Sequence, residues 1–142
     1  MTGANGYLGQ GIVRSILNNG HCVVATDFNT QFVDERAERN CLAIYLKLIT
    51  PYSFFGEPDV LLQFGMERRV VHYSSAHIDD LPKHYAFIKK MVDGGIQQVA
   101  VMGSMHEIGF FEGSINESTP CHPTTPYGIA KNALTRLNTN DM

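Results

Sequence analysis

The chain has 142 residues, a net charge of -3, 44% hydrophobic and 18% charged residues. That length suits one domain with its own core, and the composition excludes a disordered charged tail and a nucleic-acid-binding surface. The three cysteines, Cys22, Cys41 and Cys121, stand singly, without the close pairs that zinc or a redox dithiol uses. No apolar stretch of about 18 residues offers a membrane span, so a cytoplasmic protein with neither nucleic acid nor membrane as partner and no bound metal is expected.

The chain opens on Thr2-Gly3-Ala4-Asn5-Gly6-Tyr7-Leu8-Gly9. From Gly6 onward Leu8, Ile12, Ile16 and Leu17 fall on one helical face, which predicts a helix stopped at Asn18-Asn19-Gly20. Residues 21–28 read as a short strand buried on both faces. Residues 32–39 read as a polar helix, and residues 41–48 as an apolar run open to either strand or helix. After the turn Gly56-Glu57-Pro58-Asp59, residues 60–64 predict another buried strand and residues 65–76 a loop. Residues 79–92 place Leu81, Tyr85, Ile88, Met91 and Val92 on one helical face before Gly94-Gly95; residues 98–102 predict a strand, and a last helix opens at Tyr127. This alternation implies an α/β fold: a Rossmann-type doubly wound parallel sheet with helices on both faces, one domain over residues 1–142.

Glycines at a helix N-terminus let a pyrophosphate approach unpaired N–H groups with no Cβ in the way, a job that fits Gly3, Gly6 and Gly9. Asp27 ends the next strand eighteen residues after Gly9, close to the offset of about 20 residues at which a carboxylate meets the adenosine ribose. An Asp there repels a 2′-phosphate, and Phe28 and Asn29 supply no cation to hold one, so NAD rather than NADP is expected. Tyr127 and Lys131 lie four apart on one helix face, and Ser104 follows the strand at residues 98–102, at the sheet edge where such folds bind ligands.

The opening loop, Gly-Ser-Met-His-Glu-Ile-Gly at residues 103–109, Asn-Glu-Ser-Thr-Pro at residues 116–120 and Pro-Tyr-Gly-Ile-Ala-Lys at residues 126–131 together resemble the extended short-chain dehydrogenase/reductase family, which contains the nucleotide-sugar epimerases and dehydratases. The resemblance implies a catalytic set of Ser104, Tyr127 and Lys131. Tyr127 would move the hydroxyl proton while hydride passes to or from the nicotinamide. Phenols ordinarily titrate near pH ~10; Lys131 would ease ionisation and hold the nicotinamide ribose, and Ser104 would bond the reacting oxygen. The cofactor-binding set is Gly3, Asn5, Gly6, Tyr7, Leu8, Gly9, Asp27, Phe28, Tyr127 and Lys131. The expected partner is a small-molecule substrate, a nucleotide sugar, with association into a homo-oligomer through exposed sheet edges left open.

Measured against that family, only Met1 stands where the first strand belongs, and the C-terminal substrate region is not represented. A partial domain is therefore expected, with buried strand edges lacking partners. Gln63-Phe64-Gly65-Met66 replaces the usual histidine followed by Leu-Ala-Ala, and Phe64 and Met66 are expected to press on the nicotinamide. Arg68 and Arg69 read as a solvated pair more readily than as a diphosphate clamp, and His106 and Glu107 as loop or wall residues. Two further readings stay open: a catalytically inactive NAD-binding or protein-interaction remnant of the family, and a reductase of small carbonyls using the same three side chains.

Overall fold

A computed structural model of the chain describes residues 1–42, 48–66 and 71–140. Its elements are α1 (Tyr7–Asn18), β1 (Val24–Asp27), β2 (Glu38–Cys41), β3 (Val60–Gln63), α2 (Ala76–Gly94), β4 (Gln98–Val101) and α3 (Pro126–Asn140), with 3-10 turns at Tyr52–Phe55 and Met105–Glu107. No described helix is long and apolar enough to cross a membrane.

β1 and β2 pair in parallel with Val24 opposite Glu38, and β3 and β4 do so with Val60 opposite Gln98. Thr2 joins the two pairs through parallel bridges to Thr26 and Gln63. The Met1 ammonium donates to the Val24 carbonyl at 2.7 Å, the Thr26 N–H to the Met1 carbonyl at 2.8 Å, and the Thr2 N–H to the Leu62 carbonyl at 2.9 Å. The order across the sheet is thus β2, β1, the Met1 and Thr2 pair, β3, β4. This is the doubly wound order with a central strand two residues long.

Those two residues close the sheet at the edge from which the ligand loops leave, so the expectation of unpartnered strands holds only below them. There a cleft of about 650 Å³ opens between the start of β1 and the start of β3, floored by Phe55, Phe87 and Met91.

Residues 32–39 do not form the expected helix: they make turns, and β2 begins at Glu38. The reason is local, because the Asp34 carboxylate accepts both the N–H of Arg36 at 3.1 Å and its guanidinium at 2.9 and 2.8 Å. Such bonds satisfy a turn in competition with the helix ladder, while buried Val33 and Ala37 pin it to the core. In the apolar run at 41–48, Cys41 ends β2 and residues 43–47 lie outside the described residues. The helix expected at 79–92 starts earlier, at Ala76, and ends at Gly94 with Gly95 at φ +123° as its stop.

Two apolar clusters flank the sheet. Ala4, Val13, Val23, Ala25, Val33 and Ala37 seat α1, while Phe55, Leu61, Phe87, Ile88, Met91, Ile96 and Leu134 seat α2 and α3. Leu8, expected on the buried face of α1, is exposed; Gly9 and Val13 are buried instead. A Cβ on Gly9 would stand 2.1 Å from the Gly3 carbonyl oxygen and 2.8 Å from that of Ala4. Gly9→Ala is therefore expected to cost about 3 kcal/mol by overpacking, read as a lower urea midpoint; an unchanged midpoint would show that the loop yields freely.

Candidate active site

Gly3 adopts φ +67°, and a Cβ there would meet the backbone of Gly65 at 2.7 Å. The loop is thereby pressed onto the exit of β3, where the Thr2 hydroxyl donates to the Gln63 side chain at 2.9 Å and accepts the N–H groups of Phe64 and Gly65. Gly6 caps α1 in an extended conformation with no side-chain cap and no acid in the first turn. The first-turn N–H groups, which a helix leaves without internal partners, therefore sit at an unobstructed, electropositive end suited to a diphosphate. Exposed Tyr7 and Leu8 rim it.

Asp27 closes the loop from the side. One carboxylate oxygen accepts the Asn5 N–H at 2.9 Å and the other the Phe28 N–H at 2.7 Å. Asn5 is the hub of the network: its amide donates to Asn29 at 2.6 Å, its side-chain oxygen accepts the Phe32 N–H at 2.8 Å, and its carbonyl accepts from Gln10 at 2.8 Å. Asp27 thus orders the loop through one lone pair on each oxygen and retains others toward solvent.

The second half of the site leaves the same sheet edge, since the Met102 N–H donates to the Gln63 carbonyl just past β4. α3 starts where Thr125 accepts the Gly128 N–H at 3.1 Å, with Pro126 as its first residue, a favoured cap followed by a favoured first position. The helix then presses on the 102–107 segment. The Lys131 ammonium, 2% exposed, donates to the Met102 carbonyl at 2.7 Å, and a Cβ on Gly128 would stand 2.2 Å from the His106 carbonyl oxygen. Ser104 lies between those two contact points, its hydroxyl accepting the His106 N–H at 3.3 Å. Burial pulls the Lys131 ammonium below the usual lysine range, and the Glu107 carboxylate acts against that fall.

The structure gathers Ser104, Tyr127 and Lys131 along one contact between α3 and the exit of β4, and Gly3, Asn5, Gly6, Tyr7, Leu8, Gly9, Asp27 and Phe28 round the neighbouring loop. Three histidines surround the Tyr127 ring: His106, read from the sequence as a loop or wall residue, at 5.4 Å between ring centroids, and two that sequence reasoning passed over, His72 at 5.1 Å and His77 at 5.0 Å. The Tyr127 N–H also donates to the His72 carbonyl at 3.1 Å. His72 and His77 carried no local signal, because only tertiary packing brings the segment before α2 and the first turn of α2 to α3. Glu107, read as a wall residue, is instead buried and closes a capping box with Ser104; the Ser-x-x-Glu spacing was the available signal. Arg68 and Arg69 lie outside the described residues.

A parallel sheet with a glycine loop entering a helix, a carboxylate ending the next strand and a Tyr-Lys helix packed on the exit of β4 defines a dinucleotide-fold protein of Rossmann type. The model of the NAD dependent epimerase/dehydratase family matches residues 1–140, and the chain belongs to that family. It is 37% identical over 138 residues to the dTDP-6-deoxy-L-talose 4-dehydrogenase (NAD(+)) of Aggregatibacter actinomycetemcomitans, covering 94% of this chain and 51% of that protein. Among solved structures it resembles the UDP-glucose-4-epimerase of Stenotrophomonas maltophila with bound NAD and formylated UDP-arabinopyranose (TM-score 0.81, 19% identity, 98% of this chain and 46% of that one). It also resembles an NAD dependent NDP-hexosamine 5,6-dehydratase of tunicamycin biosynthesis (TM-score 0.79, 15% identity, 96% and 47%). The likeness to the solved structures is one of fold, and the chain spans about half the length of the relatives it matches.

Proposed function

We propose that the chain is the NAD-binding and proton-transferring part of an oxidoreductase acting on a nucleotide-linked sugar. The observation that carries this reading is the convergence of Lys131, Tyr127 and Ser104 on the exit of β4, beside a glycine loop already braced by Asp27. The relative that acts on a dTDP-linked sugar with NAD(+) supports the substrate class. The diphosphate would lie on the first turn of α1, with Gly6 leaving it room, and the adenosine ribose against Asp27. NAD bound there supplies the acceptor or donor of hydride at carbon. Tyr127 takes or returns the hydroxyl proton at its phenolic oxygen, Ser104 holds the reacting oxygen by its hydroxyl, and Lys131 keeps positive charge beneath the phenol. An ammonium has three donors, so Lys131 can keep its bond to Met102 while serving the ribose.

A second reading is a catalytically inactive form of the family that binds a dinucleotide or a partner protein. Calorimetric titration with NAD+ and NADH tests the first reading at its base. Saturable binding at roughly micromolar Kd, weakened at least about tenfold by Asp27→Ala, is the expected outcome. Absence of binding would leave only a protein-interaction role.

A further inference from the structure

The site contains a buried carboxylate that caps the turn at Ser104 and has no task in the proposed reaction. Glu107 is 8% exposed, in the 3-10 turn Met105–Glu107 directly after Ser104. One of its oxygens accepts the Ser104 N–H at 2.6 Å, and the same oxygen stands 3.4 Å from where a Cβ on Gly103 would lie. Lys131 donates to the carbonyl of Met102. The carboxylate and the ammonium are therefore anchored to the same short stretch of backbone, one to the N–H of Ser104 and the other to the C=O of Met102, with only Gly103 between. No salt bridge joins them among the described residues; both residues are buried, and the carboxylate acts through space against the fall that burial imposes on the ammonium. A buried charge without a nearby opposite charge is driven to its neutral form. A lysine that went neutral there would have no positive charge to place under a phenol.

We propose that Glu107 is a positioning residue of this site: its carboxylate clamps the Ser104 backbone and is the counter-charge that keeps Lys131 an ammonium beside Tyr127. The assignment rests on the Ser104, Tyr127 and Lys131 reading above for its consequence, though not for the electrostatic link itself. The other titratable groups packed on Tyr127 are His72 and His77 from the 71–77 segment and His106 from the turn.

The test uses the full chain with isotopically labelled lysines, the Lys131 signal assigned by Lys131→Arg, and needs no substrate. Glu107→Gln keeps an oxygen to accept the Ser104 N–H but removes the charge; it is expected to lower the Lys131 titration midpoint by about one pH unit, a tenfold change in its proton affinity. Glu107→Asp keeps the charge on a shorter arm; it is expected to hold that midpoint while displacing the Ser104 amide resonance. A midpoint in Glu107→Gln within about 0.3 pH unit of the parent overturns the proposal. So does a Gln variant that fails to fold while the Asp variant shows both the midpoint and the Ser104 resonance unchanged, since Glu107 then acts through packing alone. A shifted midpoint combined with full turnover in Tyr127→Phe would sink the catalytic reading and leave the link between Glu107 and Lys131 standing.

Discussion

Tyr127→Phe is expected to lower NAD-linked turnover of a nucleotide sugar by about 10²- to 10⁴-fold, the range that a positioned acid/base group contributes, while leaving dinucleotide affinity within about twofold. The substitution removes one oxygen and keeps the ring that His72, His77 and His106 surround at 5.0 to 5.4 Å. Those contacts are made by ring faces and edges, and the backbone bond from the Tyr127 N–H to the His72 carbonyl does not involve the side chain. α3 should therefore stay seated, and the loss should fall on the proton-transfer step. Single-turnover absorbance at the reduced nicotinamide band, paired with calorimetric affinity for NAD+, checks both halves. Turnover equal to the parent would remove Tyr127 from the chemistry. Lost affinity would mean that the phenol acts mainly by binding.

Joining five apolar residues of strand-forming type ahead of Met1 is expected to raise the melting temperature by roughly 10 °C or more. In a parallel ladder alternate residues bond to opposite neighbours. Val23 and Asp27 bond across to β2, and Asp59 and Gln63 across to β4, so Cys22 and Val24 on one strand and Val60 and Leu62 on the other face the central position. Met1 and Thr2 use the carbonyls of Val24 and Leu62; the ladder below them leads straight into the 650 Å³ cleft. Each apolar side chain buried there contributes about 1.5–3 kcal/mol, against about 1–2 kcal/mol for ordering its backbone, and each hydrogen bond adds about 1 kcal/mol. A net gain of a few kcal/mol follows. A Gly-Ser extension of equal length is the control: if it raises the melting temperature as much, or if the apolar one does not, the cleft does not accept a strand. Slower hydrogen exchange at the Val24 and Leu62 amides should accompany the gain.

Much of this was legible in the chain itself. The period of Ile12, Ile16 and Leu17, the glycine stops at Gly20 and Gly95 and the β-branched run before Asp27 each encode a local preference, and α1, α2, β1 and β4 formed within a few residues of expectation. Residues 32–39 departed because a polar pattern of helical composition also contains Asp34, whose carboxylate prefers the Arg36 N–H and guanidinium to a solvent-facing helix. Leu8 departed because the close approach of Gly9 to Gly3, rather than apolarity, decides which residue of the first turn of α1 is buried.

The amino-acid order by itself determined the Rossmann-type class, the glycine loop, Asp27 at the end of the next strand and the spacing that puts Tyr127 and Lys131 one turn apart on α3. These are short-range patterns, each readable because backbone geometry fixes the spacing at which side chains share a face. Tertiary structure alone decided that Thr2 holds the two halves of the sheet together, that Asn5 links the loop to the end of β1, and that His72 and His77 enclose the Tyr127 ring. It also set the buried Lys131 and Glu107 side chains on neighbouring peptide groups of the 102–104 segment. Such contacts join residues about 20 to 60 positions apart. Their energies depend on burial and on charge away from water, which no local pattern records.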